Sequence, residues 1–351
     1  MPTRRHSRTV SLVKLHYSFM KIMTGSDLSR RRLPLMSAVS SKPGPLVWLT
    51  ACGHGDEVSG IVVIQEIFKK IRRRLLCGEV RAFPLMNPLG FEMGTRHIAM
   101  SREDLNRSFP GSSNGSLGER IAQRIFAAIT EETPTLVLDL HSDWIESIPY
   151  ILLDRDPGIS HKAAYTESIR ACKKAGLCMI VDTEEMNRSL SLNLLLNDIP
   201  ALSLELGKSN VVSETNVTYG LEAIWNILAH YGMVALHDKP FQYPLAGGYG
   251  QGLLLRYSDK PYGSKTGIIR FMARPGDVVK AGQRLAKTVN AFGKHQETIV
   301  AIEDAIVLGH SDSSAAFPGM PIMAFGVPYG PTPEDGKTEP ISAPDAGKPR
   351  R

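Results

Sequence analysis

Cysteine is scarce in this chain: there are four, Cys52, Cys77, Cys172 and Cys178, and none forms a Cys-x-x-Cys pair. That excludes a disulfide scaffold and makes a reducing cytoplasm the expected setting. All four are read as buried structural thiols. Long hydrophobic runs are also missing. No stretch reaches the roughly 18 uninterrupted apolar residues of a membrane-spanning helix, so no membrane partner is expected. Acids are nearly absent from residues 1–32, where Asp27 stands against eight Lys/Arg. That segment carries +7 and the whole chain +6, so residues 33–351 sum to −1. The basic balance is local, and a nucleic-acid partner is not expected.

The leader superficially fits a transit peptide but lacks the apolar core of a secretory signal. It is read as a disordered extension over 1–32, or as translation begun upstream of the true start, since Met20 and Met23 lie downstream. From about residue 45, strands alternate with helices. Leu46–Ala51, Val80–Met86, Thr135–Leu140 and Ala201–Leu206 read as strands, with shorter ones at Tyr150–Leu153 and Met179–Val181. Gly60–Leu76, a stretch capped by Ser116 with Glu119 three residues on, and Thr218–Tyr231 read as helices. This alternation predicts an α/β fold, with a mainly parallel or mixed sheet and helices on both faces, over residues 33–240. After about residue 240, Gly and Pro become frequent and helical periodicity ends. Residues 241–328 are expected to form a small all-β domain, and 329–351 a disordered tail.

Three of the strands end in polar residues: His54 and Glu57 follow one, Asp139 and His141 close another, and Glu205 ends a third. In an open α/β sheet ligands bind beyond the carboxyl ends of the strands, so these groups converge. Two imidazoles and a carboxylate suit zinc with an open position for water. Gly53 and Gly55 are read as letting the turn fold so that His54 and Glu57 face one point. Asp139, two residues before His141, shares its side of the strand and could accept a hydrogen bond from a ligand imidazole. A polar loop then supplies Arg96, Asn106 and Arg107; arginine suits a carboxylate or a carbonyl where negative charge develops.

The ordered set His-Gly-Asp-Glu (54–57), Asn-Pro-Leu-Gly (87–90), Gly-Thr-Arg (94–96), Asp-Leu-Asn-Arg-Ser-Phe-Pro-Gly (104–111), Asp-Leu-His (139–141) and Ser-Leu-Glu-Leu-Gly (203–207) resembles the succinylglutamate desuccinylase/aspartoacylase family. The catalytic domain of that family is related to the zinc carboxypeptidases. The resemblance covers roughly residues 33–235, and the 104–111 element is its most specific part. It implies one zinc ion per chain on His54, Glu57 and His141, and Glu205 as general base and proton shuttle. It further implies Arg96 polarising the scissile carbonyl, Asn106 and Arg107 binding a substrate carboxylate, and Asp104 and Asp139 in support. The expected partner is a small N-acyl amino acid or related amide bearing a carboxylate, with loops 143–200 and the β-domain reading its identity. Oligomeric state is left open.

Several nearby residues carry two readings. Cys52 is read as a packed thiol rather than a ligand. His97, Arg155 and Arg188 are read as surface groups, and Asp143 and Trp144 as candidates for the pocket border. Residues 274–286 resemble half of a biotinyl/lipoyl-like fold. Lys294 sits off register in the hairpin without flanking methionines, so a carrier role is not expected. The competing functions are a peptidase trimming C-terminal residues and a metal-dependent binding protein without turnover.

Overall fold

Short apolar runs, too short for buried helices, form the centre of the sheet. In the computed structural model, which describes residues 12–24, 28, 30–183, 188–245, 249 and 252–329, the strands are β1 (Val13–Thr24), β2 (Arg30–Ser40), β3 (Leu46–Ala51), β4 (Glu79–Phe83), β5 (Leu136–His141), β6 (Glu146–Ser147), β7 (Tyr150–Leu153), β8 (Cys178–Val181), β9 (Ala201–Glu205), β10 (Leu254–Ser258), β11 (Gly267–Phe271), β12 (Val278–Val279), β13 (Arg284–Val289), β14 (His295–Val300), β15 (Ala305–His310), β16 (Ala315–Ala316) and β17 (Met323–Pro328). Among the described residues six α-helices join them: α1 (Ser59–Ile71), α2 (Pro88–Met93), α3 (Leu117–Thr130), α4 (Lys162–Ala175), α5 (Leu190–Leu195) and α6 (Glu214–His230).

Strands β4, β3, β5 and β9 lie side by side and parallel, as continuous burial on both faces requires. The alternation of side chains divides them between two layers. Val47, Leu49, Leu138, Leu202 and Leu204 pack with α1, α4 and α6, whereas Trp48, Val137 and Ala201 pack with α3 and α5. Helix α3 begins with the expected capping box: Ser116 accepts from the Glu119 N–H while the Glu119 carboxylate accepts from the Ser116 N–H.

The sheet is mixed rather than purely parallel. β2 runs antiparallel to β4, and β7 runs antiparallel to β9 while parallel to β8. Two expectations are corrected here. The reading of residues 1–32 as a disordered leader fails at Val13–Thr24, which pairs with β2 along its whole length, and at Arg30–Arg32, which belong to β2. Apolar residues alternate with the charged ones there, and Met20, Ile22 and Met23 pack against the α3 layer. Residues 1–11 and the expected tail from 330 onward lie outside the described residues. The boundary at 240 is not a break in the sheet either. β10 pairs with β8, and β17 and β15 continue the same sheet. Four later strands, in the order β14-β13-β11-β16, form a separate small sheet. Its inner side chains, among them Ile269, Leu285 and Ile299, pack against Val307 and Phe325. The Gly- and Pro-rich composition marks the end of the helices, not the end of the sheet.

Candidate metal and active site

The loop after β3 carries the first part of the site. Cys52 takes the left-handed conformation there (φ 55°), so the sharp turn falls on the cysteine rather than on Gly53 or Gly55. Gly55 is needed for another reason. A Cβ at this position would lie 2.1 Å from the backbone carbon of Gly90 and 2.3 Å from the Phe91 nitrogen. The absence of a side chain lets α2 and the following loop press against the turn, where the Gly55 N–H donates to the Arg96 carbonyl (3.2 Å). Cys52 is buried, and burial pushes its thiol up to about 12, so it is a packed thiol.

His54 and Glu57 leave this loop, and His141 closes the neighbouring strand β5. All three are buried, and one ligand atom from each falls within 4.8 Å of the others. Glu57 bridges the two rings, with Oε1 2.7 Å from His54 Nδ1 and Oε2 2.8 Å from His141 Nδ1. Asp104 Oδ1 lies 3.0 Å from His54 Nε2, and Asp139 Oδ2 lies 2.8 Å from His141 Nε2. Thr50, facing Asp139 across the β3–β5 pair, donates to its other oxygen (2.6 Å). Burial opposes charge on every one of these groups. The carboxylates nonetheless win for the rings, holding His54 and His141 above the usual imidazole value, while the imidazoles hold Glu57 and Asp104 low. Two imidazole nitrogens, each ring braced by a further carboxylate, and one carboxylate oxygen are a donor set that fits zinc with a position left open.

Glu205 ends β9 directly across from His141. It is 7% exposed, and its Oε2 has no hydrogen-bond partner among the described residues. Burial pushes its carboxyl up to about 8, with Asp143 and Glu57 adding to the effect against the imidazoles. Asp143 is itself pushed by burial to about 7 and accepts a hydrogen bond from the Tyr150 hydroxyl (2.5 Å).

Donors gather beside the cluster. Arg96 reaches Glu57 and Asp104 at 3.4 Å each and is otherwise exposed. Asp104 accepts from the Asn106 N–H (2.8 Å), fixing the short helical turn Leu105–Arg107. The Asn106 side-chain oxygen accepts from the Leu190 N–H at the start of α5, and its amide nitrogen lies 3.4 Å from His141 Nε2. Arg107 donates to the Asn106 carbonyl.

These groups line one cavity of about 270 Å³. Of the residues predicted to form the site, His54, Glu57, Arg96, Asn106, Arg107, His141 and Glu205 face it, and Asp104 and Asp139 stand behind the imidazoles. Asp143 and Trp144 border it as well; His97 is exposed outside it, and Arg188 pairs with Glu119 on the surface. Sequence reasoning missed Tyr150, Asp154, Asp182, Ser191, Ser203 and Tyr257. Asp154 and Asp182 each directly follow a strand, the same signal that found His141; Tyr257, on β10, carried no local signal.

The catalytic-domain model of the succinylglutamate desuccinylase/aspartoacylase family matches residues 43–231. The chain belongs to this family. As a member of the succinylglutamate desuccinylase/aspartoacylase family it is an amidohydrolase of the deacylating kind. It is 27% identical over 290 residues to an N-alpha-acetyl-L-2,4-diaminobutyric acid deacetylase of Halomonas elongata, which covers 78% of this chain and 79% of that protein. Among solved structures, the product-bound ectoine utilization protein EutE (DoeB) of Ruegeria pomeroyi superposes with a TM-score of 0.74 at 21% identity, covering 93% of this chain and 97% of that one. A succinylglutamate desuccinylase/aspartoacylase of Rhodobacter sphaeroides gives 0.75 at 18% identity, with 92% and 97% covered. These two likenesses carry the fold, including the C-terminal β region.

Proposed function

We propose that this protein is a zinc-dependent hydrolase that removes the acyl group from a small N-acyl amino acid. The observation that carries the reading is the unpartnered, buried Glu205 oxygen set in the same cavity as the His54–Glu57–His141 cluster. Zinc held by these three residues would supply Lewis acidity, making water more acidic and polarising a carbonyl. Glu205, directly across from His141, takes the proton of the attacking water at Oε2 and passes it to the leaving amine. Its burial gives the carboxyl enough proton affinity to hold that proton between the two transfers. Arg96 faces the developing negative charge on the substrate oxygen. Asn106 and Arg107 present only donors to the cavity and bind the carboxylate of the amino acid. The Halomonas relative, named for removing acetyl from an N-acetylated diamino acid, supports acetyl as the acyl group.

The test is Glu205→Ala in zinc-loaded protein. Metal content stays at one zinc per chain, and hydrolysis of N-acyl amino acids falls by about 10³-fold. Unchanged turnover in that variant would remove Glu205 from the chemistry. Release of amino acids from peptides without cleavage of N-acyl amino acids would favour the peptidase.

A further inference from the structure

Trp144 lines the cavity in a strained conformation. Its φ is 54°, in the left-handed region that a bulky side chain seldom occupies. Such an outlier persists where its surroundings over-determine it. Here the chain is pinned on both sides of the residue. The Ile145 N–H donates to the Asp312 carboxylate, and the Ser147 hydroxyl donates to the Asp143 carbonyl (2.6 Å). The Trp144 carbonyl accepts from the Lys208 N–H (3.2 Å), and Glu146 and Ser147 pair with His310 and Gly309 of β15.

The ring is backed by bare backbone. A Cβ at Gly309 would lie 2.9 Å from Trp144 Cδ1 and 3.0 Å from its Cγ, so this glycine lets the indole settle against β15. Trp144 packs on the core of Tyr150, Leu255, Ile306 and Leu308, as does Tyr257, and both line the cavity from that side. Asn106 belongs to a different core. Leu105 beside it and Leu190, whose N–H it accepts, pack with α3. Ser189 and Ser191, flanking Leu190, hydrogen-bond the Asp154 carboxyl at that same end. The cavity therefore has a polar end at α5 and an aromatic end at β10 and β15, and His141 adjoins both.

Amide geometry assigns the two ends. A trans amide holds its acyl substituent and the α-carbon of its amine portion on opposite sides of the C–N bond. With the amino-acid carboxylate at Asn106 and Arg107 and the carbonyl at the metal cluster, the acyl substituent points away from α5. We propose that Trp144, seated on Gly309, closes the acyl end of the cavity and limits the enzyme to acyl groups no larger than acetyl, excluding butyryl and succinyl. The proposal rests on the deacylase reading above. An indole pinned through its backbone and backed by β15 cannot yield to added methylenes. Glycine at 144 would relieve the strain but leave that end open, which gives the strained tryptophan its purpose.

The experiment uses zinc-loaded enzyme and the N-formyl, N-acetyl, N-propionyl, N-butyryl and N-succinyl derivatives of one amino acid, the one whose N-acetyl form is cleaved fastest. In the parent, kcat/KM is expected to fall by about 10-fold for each methylene beyond acetyl. Trp144→Gly should raise the ratio of N-butyryl to N-acetyl cleavage by about 100-fold, the sum of two such steps, and Trp144→Phe by less. The phenylalanine variant keeps a ring on the core, so the comparison survives a glycine variant that folds poorly. Gly309→Ala, which drives the ring into the cavity, should act in reverse and raise the ratio of N-formyl to N-acetyl cleavage by about 10-fold. Variants that lower every derivative by the same factor would make Trp144 a structural residue and overturn the proposal. A parent enzyme that cleaves the N-butyryl or N-succinyl form as well as the N-acetyl form overturns it too, while the deacylase stands. If no N-acyl amino acid is cleaved, the deacylase reading falls and takes the acyl wall with it.

Discussion

Asp154 illustrates what burial costs a single carboxyl. Its value of about 6 against the ordinary 3.8 arises first from burial, then from the neighbouring Asp182. A raised carboxyl holds its proton more tightly in the folded state than in the unfolded one. The favourable contribution of that proton is therefore fully present below about 3.8 and is lost as the pH rises through 6. The shift corresponds to a cost on the order of 3 kcal/mol at neutral pH. Asp154→Asn removes the titration yet keeps an oxygen for the serine hydroxyls. The variant should be more stable than the parent at pH 7.5, by up to about 3 kcal/mol, and by only about 1 kcal/mol at pH 4.5. Urea midpoints at the two pH values decide this, and an offset that does not change with pH would contradict it. Glu205 is buried in the same manner, and in the proposed reaction its proton is the one transferred.

At the scale of elements, the decisive contact is between the turn after β3 and the start of α2. Gly55 allows the two backbones to touch, and through the Arg96 carbonyl it sets the distance from the metal cluster to the loop that carries Arg96. Alanine at 55 must displace one backbone or the other, because no flexible side chain is in the way. Displacements of about 1 Å near reacting groups cost about 100-fold in rate, and this is the loss in kcat/KM expected for Gly55→Ala. Gly53→Ala serves as the control. Its Cβ would meet the end of the Met86 side chain at 3.3 Å, which can swing aside, so activity should change little. Equal effects of the two substitutions would show that the contact has no special role. This distinction was not legible in the sequence, where both glycines looked like turn residues. The same limit explains Asp154. Looking for polar residues beyond strand ends finds His141 and Glu205 because β5 and β9 are parallel and share an edge. It marks Asp154 as a residue after a strand but does not place it in the same cavity, since β7 runs antiparallel to β9. Only the pairing register shows that the cavity follows the face of the sheet rather than its edge.

For the molecule as a whole, the buried parallel strands were readable because continuous apolar runs have few alternatives. The outer strands were not, because their apolar residues are interleaved with arginine and lysine and the charge count dominated. This matters for where the folded unit begins. A chain initiated at Met23 would lack nearly all of β1, and with it the pairing that runs from Val13 opposite Ser40 to Thr24 opposite Arg30. Val13 and Leu15 pack against the layer of α1, α4 and α6; Met20 and Ile22 pack against that of α3. Removing these partly buried side chains forfeits on the order of 5 kcal/mol of apolar burial and leaves β2 as an unprotected edge. The candidate site should survive, because β4 still separates the new edge, β2, from β3. Protein begun at Met23 is thus expected to unfold at a lower urea concentration and to scatter light through association, while keeping the kcat of its folded fraction. A truncated protein that matches the full chain in midpoint and stays monodisperse would mean that β1 adds nothing, and that translation from Met23 yields an equivalent enzyme.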